Sequence, residues 1–141
     1  MFVTGFFGIL NTANGVFEYC NGGHHPPFLL EQSGDIAAVE NTGGMALGTV
    51  ENVDYRSKEI TIHPGDALFF YTDGLTEAMD VRDTEFSEVQ LAAFLQENRH
   101  AALDSLINTA VEAVKAHAGE APQSDDMTMM AVRYLSRFEK G

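Results

Sequence analysis

The chain has 141 residues, 45% of them hydrophobic and 21% charged, which describes one domain with a real core and not a disordered segment. Acidic residues number 21 and basic residues 8, a net charge of −13. That sign repels nucleic-acid phosphates and anionic lipid, so no nucleic acid and no membrane is expected as partner. The one cysteine, Cys20, excludes an internal disulfide framework and an all-cysteine zinc site, and fits a reduced, cytoplasmic setting.

Residues 1–10 are apolar but lack a basic leader and are too short to cross a bilayer. Their unbroken apolarity predicts a strand buried on both faces. A chain that opens in such a strand is expected to have sequence before it. Asn14-Gly15 is a hairpin signal leading into a strand over 16–20. After the turn-rich segment 21–27, residues 28–31 read as extended, and Ser33-Gly34-Asp35 turns the chain into 36–40. Over 55–63, Ile60 and Ile62 alternate with Glu59, Thr61 and His63. Pro64-Gly65-Asp66 is a tight turn, and the continuous apolar run 67–71 reads as a central strand.

The period then changes. Ser87 and Gln90 fit a capping box, and Leu91, Phe94 and Leu95 mark one face of a helix over 87–99. Leu103, Leu106, Ile107, Ala110 and Val114 give a second helix over 102–118, stopped by Gly119. A last strand spans 127–135, with Met127, Met129 and Met130 as core filling. Strands grouped first and helices later predict an α+β fold, mostly antiparallel.

Three segments carry groups suited to chemistry. Tyr71-Thr72-Asp73-Gly74 places a carboxylate where a buried strand stops, beside a glycine that lets the backbone turn; an ordinary acidic turn has the same pattern. Ser124-Asp125-Asp126-Met127-Thr128 precedes the last strand. Adjacent carboxylates in extended chain point to opposite sides, so one of the pair faces a given site, where hard cations such as Mg²⁺ or Mn²⁺ favour oxygen ligands. A solvated loop is the plain alternative. The third segment is Asn21-Gly22-Gly23-His24-His25-Pro26-Pro27. With no thiols nearby, a structural turn in which His24 bonds a backbone carbonyl accounts for it better than zinc.

In order along the chain, these segments resemble the SpoIIE-like, metal-dependent serine/threonine phosphatases of the protein phosphatase 2C-like (PPM) class. Residues 21–27 are similar to that family's Asn-Ala-Gly-His-Asn-Pro-Pro, with His25 where the family has asparagine. Gly44-Met45-Ala46-Leu47-Gly48 resembles its Gly-x-Pro-Leu-Gly loop, with Ala46 where proline is common. Residues 64–78 resemble its most specific block, through Tyr71-Thr72-Asp73-Gly74-Leu75-Thr76-Glu77-Ala78, and Asp125-Asp126-Met127-Thr128 its closing motif.

The resemblance implies a β-sandwich flanked by helices, with two Mn²⁺ or Mg²⁺ ions activating a water for attack on phosphorus. It implies Asp73 and Asp125 as catalytic metal ligands and Asp126, where relatives often carry asparagine, as a further ligand. Thr72, Gly74 and His24 would line the site. The family also places a Gly-Asp metal motif on an earlier strand, and two helices before the segment resembling 1–4. Residues 1–141 are therefore expected to be a single truncated domain, the C-terminal portion, incomplete for activity by itself. The expected substrate is a phosphorylated regulator of the anti-anti-sigma type in bacterial signalling. The alternative is a non-catalytic remnant that dimerises and regulates. In either case an uncovered apolar sheet face, or the edge strand at 2–10, is expected to drive homo-oligomer formation.

Overall fold

The computed structural model describes residues 1–136; the last five residues of the expected 1–141 domain lie outside the described residues. The elements follow in the order β1 (Gly5–Leu10), β2 (Val16–Gly22), β3 (Phe28–Leu30), β4 (Ile36–Ala38), β5 (Lys58–Thr61), β6 (Ala67–Tyr71), α1 (Asp73–Thr76), α2 (Ser87–Asn98), α3 (Leu103–Ala118) and β7 (Met129–Arg133). They form an antiparallel sheet β1-β2-β5 and a second antiparallel sheet β4-β3-β6-β7. The fold is α+β. The single-turn α1 is an element the residue pattern does not announce.

The second sheet is the middle layer. Phe28, Leu30, Ala67, Phe69 and Tyr71 pack on its outer face against Leu91, Leu95, Leu106, Ala110 and Val114 of α2 and α3. Leu29, Leu68 and Phe70 point the other way and meet Phe6, Phe17, Tyr19 and Ile62 of the first sheet. Successive strand side chains alternate between faces, so a strand covered on both must be apolar at every position. That is the physical reason for the run Ala67-Leu68-Phe69-Phe70-Tyr71, and Phe69 has no exposed surface.

The helices fall close to their expected bounds. Ser87 holds φ at +74° and its Oγ accepts the N–H of Gln90 at 3.3 Å, the N-cap half of the expected box. On α3, Leu106, Ala110 and Val114 recur at a helical period, and all three are buried. Among the described residues no helix is long and apolar enough to cross a membrane.

Two expectations fail, for one reason. The first strand is not buried on both faces: Phe6 and Leu10 pack inward, while Phe7 and Ile9 are 68% and 59% exposed. Met129 packs against the helices, but Met130 is 53% exposed and is not core filling. Both β1 and β7 are edge strands. They flank a largely apolar groove of about 550 Å³ lined by Phe7, Leu10, Phe70, Met130 and Val132. Apolar patterning reports a wish for burial and does not say whether a neighbour supplies it.

The helix-to-sheet layer should dominate stability. Truncating Leu106, which is fully buried, to alanine is expected to cost about 2–5 kcal/mol. Val89→Ala, on the exposed side of α2, should stay within about 0.5 kcal/mol. Urea denaturation of the two variants measures both, and equal midpoints would contradict this layering.

Candidate functional site

The site is made where β6 ends and β7 begins. These strands pair antiparallel, with Tyr71 opposite Met129, so the segment leaving β6 and the one entering β7 emerge side by side. Two hydrogen bonds hold them: the N–H of Thr72 donates to Thr128 O at 3.1 Å, and the N–H of Thr128 donates to Thr72 Oγ1 at 3.1 Å. Asp73 follows Thr72, and Asp125-Asp126 precede Thr128. Residues far apart in the chain thus share one rim.

Gly74 permits the close approach. A Cβ at this position would overlap the carbonyl oxygen of Asp126, so only glycine lets the turn after β6 lie against the backbone of the Asp125 loop. That loop is shaped locally: the N–H of Asp126 donates to Asp125 Oδ1 at 2.7 Å, and Gln123 Nε2 donates to Asp125 O at 2.8 Å.

The opposite wall is the turn after β2. Asn21 is buried, and its side chain closes the turn: Oδ1 accepts the N–H of His24 at 2.8 Å and Nδ2 donates to His24 O at 2.7 Å. Gly23 has φ +75°, and a Cβ there would come within 2.7 Å of Ala46 N, in the 44–48 loop. His24 Nδ1 lies 2.9 Å from the carbonyl oxygen of His25, the backbone contact expected of it. The His25 ring stacks on Tyr71 and sets Nε2 against Asp73 Oδ1, with Nδ1 3.1 Å from Glu88 Oε1.

These walls enclose an open cleft of about 480 Å³ lined by His24, Thr72, Asp73, Asp125, Asp126 and also Thr4, Gly23, His25, Pro26, Asn41 and Thr128. The residues singled out in the sequence therefore meet at one place, except Gly74, which lies buried behind the rim and acts through backbone packing. The cleft wall carries three carboxylates and, among the described residues, no lysine or arginine. Burial, and next the Glu88 carboxylate, raise the Tyr71 phenol well above its ordinary value. It therefore remains a donor, 3.2 Å from Glu88 Oε1.

The donors fit a hard divalent cation by type: carboxylate and hydroxyl oxygens in a solvent-open cleft. By number they are sparse. Among the described residues no three His, Cys, Asp or Glu side chains gather as a ready metal cage. An ion here would rest on one or two carboxylates and keep several waters.

Sequence reasoning passed over His25 and Glu88 as site residues. His25 was visible as half of a His-His pair, but Glu88 sits at the start of α2, and nothing local marks it.

The Gly74 contact is testable by thermal or urea unfolding. Gly74→Ala should destabilise by about 1–3 kcal/mol because backbone must move. Gly5→Ala, where a Cβ would meet nothing within 4 Å, should be close to neutral. Equal effects would contradict the close approach.

Comparison with known proteins places this geometry. Residues 1–135 match the family described as Stage II sporulation protein E (SpoIIE). The chain is 33% identical over 132 residues to "Protein IcfG" of Synechocystis sp., which covers 94% of this chain and 20% of that protein. It is 30% identical over 77 residues to "Phosphoserine phosphatase RsbU" of Bacillus subtilis, 55% of this chain and 23% of that one. The chain thus spans about a fifth of the length of these relatives. Among solved structures, the RsbU and RsbW domains of Rv1364c from Mycobacterium tuberculosis superpose with a TM-score of 0.80 at 29% identity. That match covers 94% of this chain and 36% of the other. With a profile match over nearly its whole length and the same fold, the chain belongs to the SpoIIE family of PPM-type phosphatase domains.

Proposed function

We propose that the chain is the part of a metal-dependent phosphoserine/phosphothreonine phosphatase that carries Asp73 and Asp125 as metal ligands, with Asp126 as a further candidate. One observation supports this most: two carboxylate-bearing loops from distant parts of the chain line one cleft that, among the described residues, offers a phosphate no lysine or arginine. A phosphate dianion entering a cleft with three carboxylates meets net repulsion unless a cation reverses the local sign. When bound, Mn²⁺ or Mg²⁺ supplies that positive charge and an acidified water as nucleophile. Asp73 and Asp125 bind it. Thr72 and Thr128 hold the two loops in register, and His24 and Asn21 fix the facing wall.

Three carboxylates are too few to hold two ions tightly, so the 141-residue chain alone is proposed to turn over weakly. The proposed substrate, by analogy with the family, is a phosphorylated cytoplasmic regulator of the anti-anti-sigma type. A second reading has its own support. The open groove between β1 and β7, with Phe7, Ile9, Met130 and Val132 exposed beside it, favours a dimerising, regulatory role for this chain.

Calorimetric titration with Mn²⁺ tests the ligand assignment. Wild type should bind one ion weakly, and Asp73→Asn and Asp125→Asn should each weaken binding at least about tenfold. Binding by Asp73→Asn equal to wild type removes Asp73 from the site. Turnover of p-nitrophenyl phosphate by the chain should be low and Mn²⁺-dependent, and robust turnover would overturn the incompleteness argument. Sedimentation should show self-association that Met130→Lys reverses; a monomer at high micromolar concentration contradicts the second reading.

A further inference from the structure

His25 stands where the resembling family has asparagine, and the turn assignment leaves it without a role. Its surroundings are specific. One ring face lies on Tyr71, with centroids 5.5 Å apart and planes 27° apart. Nε2 meets Asp73 Oδ1, and Nδ1 is 3.1 Å from Glu88 Oε1. The same Glu88 oxygen accepts the hydroxyl of Tyr71 at 3.2 Å. Tyr71, Glu88 and His25 therefore close a ring of contacts from which His25 reaches Asp73, and the ring is anchored on β6 through Tyr71 and on the first turn of α2 through Glu88.

The anchor on β6 is buried. Tyr71 is buried in the sheet-to-helix core, and Pro27, two residues after His25, is fully buried. Asp73 itself is half exposed, at the first position of a single-turn helix. Its Oδ2 has no hydrogen-bond partner among the described residues. An imidazole that occupies Oδ1 fixes the carboxylate and leaves the second oxygen for a cation. Outer partners of this kind orient a ligating carboxylate, and their loss commonly weakens metal binding 10- to 100-fold.

We propose that His25, braced by Glu88 and Tyr71, is a positioning residue that sets the Asp73 carboxylate for divalent-cation binding. This rests on the reading of Asp73 as a ligand, and the experiment separates the two.

The test is Mn²⁺ titration of the intact chain by calorimetry, with melting temperature measured for each variant. His25→Ala should raise the Mn²⁺ Kd about tenfold or more while the metal-free melting temperature shifts little, since the His25 side chain is a third exposed. Glu88→Ala removes the brace from an exposed position and should raise Kd severalfold; Glu88→Gln, which keeps the acceptor oxygen, should stay near wild type. Should His25→Ala fail to fold, the two Glu88 variants decide the matter. Unchanged affinity in His25→Ala and Glu88→Ala, with binding lost in Asp73→Asn, overturns the His25 role and leaves the ligand assignment standing. Tighter binding in His25→Ala also overturns it, since the ring would then be competing for Asp73. Unchanged binding in Asp73→Asn removes the ligand itself, and the His25 role with it.

Discussion

The pairing of β6 with β7 is the constraint on which the rest depends. It joins segments 56 residues apart through the Thr72–Thr128 hydrogen bonds. Each bond is modest, about 1 kcal/mol net. Their value lies in geometry: with Tyr71 opposite Met129, the chain leaving one strand and entering the other has a fixed spacing. Gly74 then removes the last obstacle, because any side chain would strike the Asp126 carbonyl. The proposed ligands Asp73 and Asp125 are brought to one rim by backbone, against the mutual repulsion of their carboxylates.

The layers explain why that pairing is stable and also where apolar surface stays open. The middle sheet is covered by α2 and α3 on one face and by the first sheet on the other, but coverage ends at β7. The apolar groove beside β7 and the acidic cleft share His24, Thr72 and Thr128. Whatever covers the groove therefore touches residues that also shape the cleft. That continuity links the two readings of function, catalytic and associative, to the same edge of the fold.

Much of the fold was legible in local pattern. The hairpin at Asn14-Gly15, the apolar run of β6 and the helical stripe of α3 each follow from short-range periodicity, and each lies where the pattern puts it. The acidic segments around Asp73 and Asp125 were legible as loops at strand ends, and the sheet register unites them. What was not legible depended on neighbours. Phe7 and Ile9 look like core residues, yet β1 is an edge strand. Glu88 looks like a solvated helix residue, yet its Oε1 meets both Tyr71 and His25. Such features are set by tertiary placement, which no spacing within one segment encodes.

The central claim, that the Asp73 and Asp125 loops hold one divalent ion between them, is tested most directly by paramagnetic broadening. A ¹⁵N-labelled chain titrated with substoichiometric Mn²⁺ should lose the amide signals of Gly74, Asp126 and Thr128 first. Ala37 in β4 and Ile107 on α3, away from the cleft, should persist. Broadening centred elsewhere, or spread evenly over the acidic surface, would contradict the account.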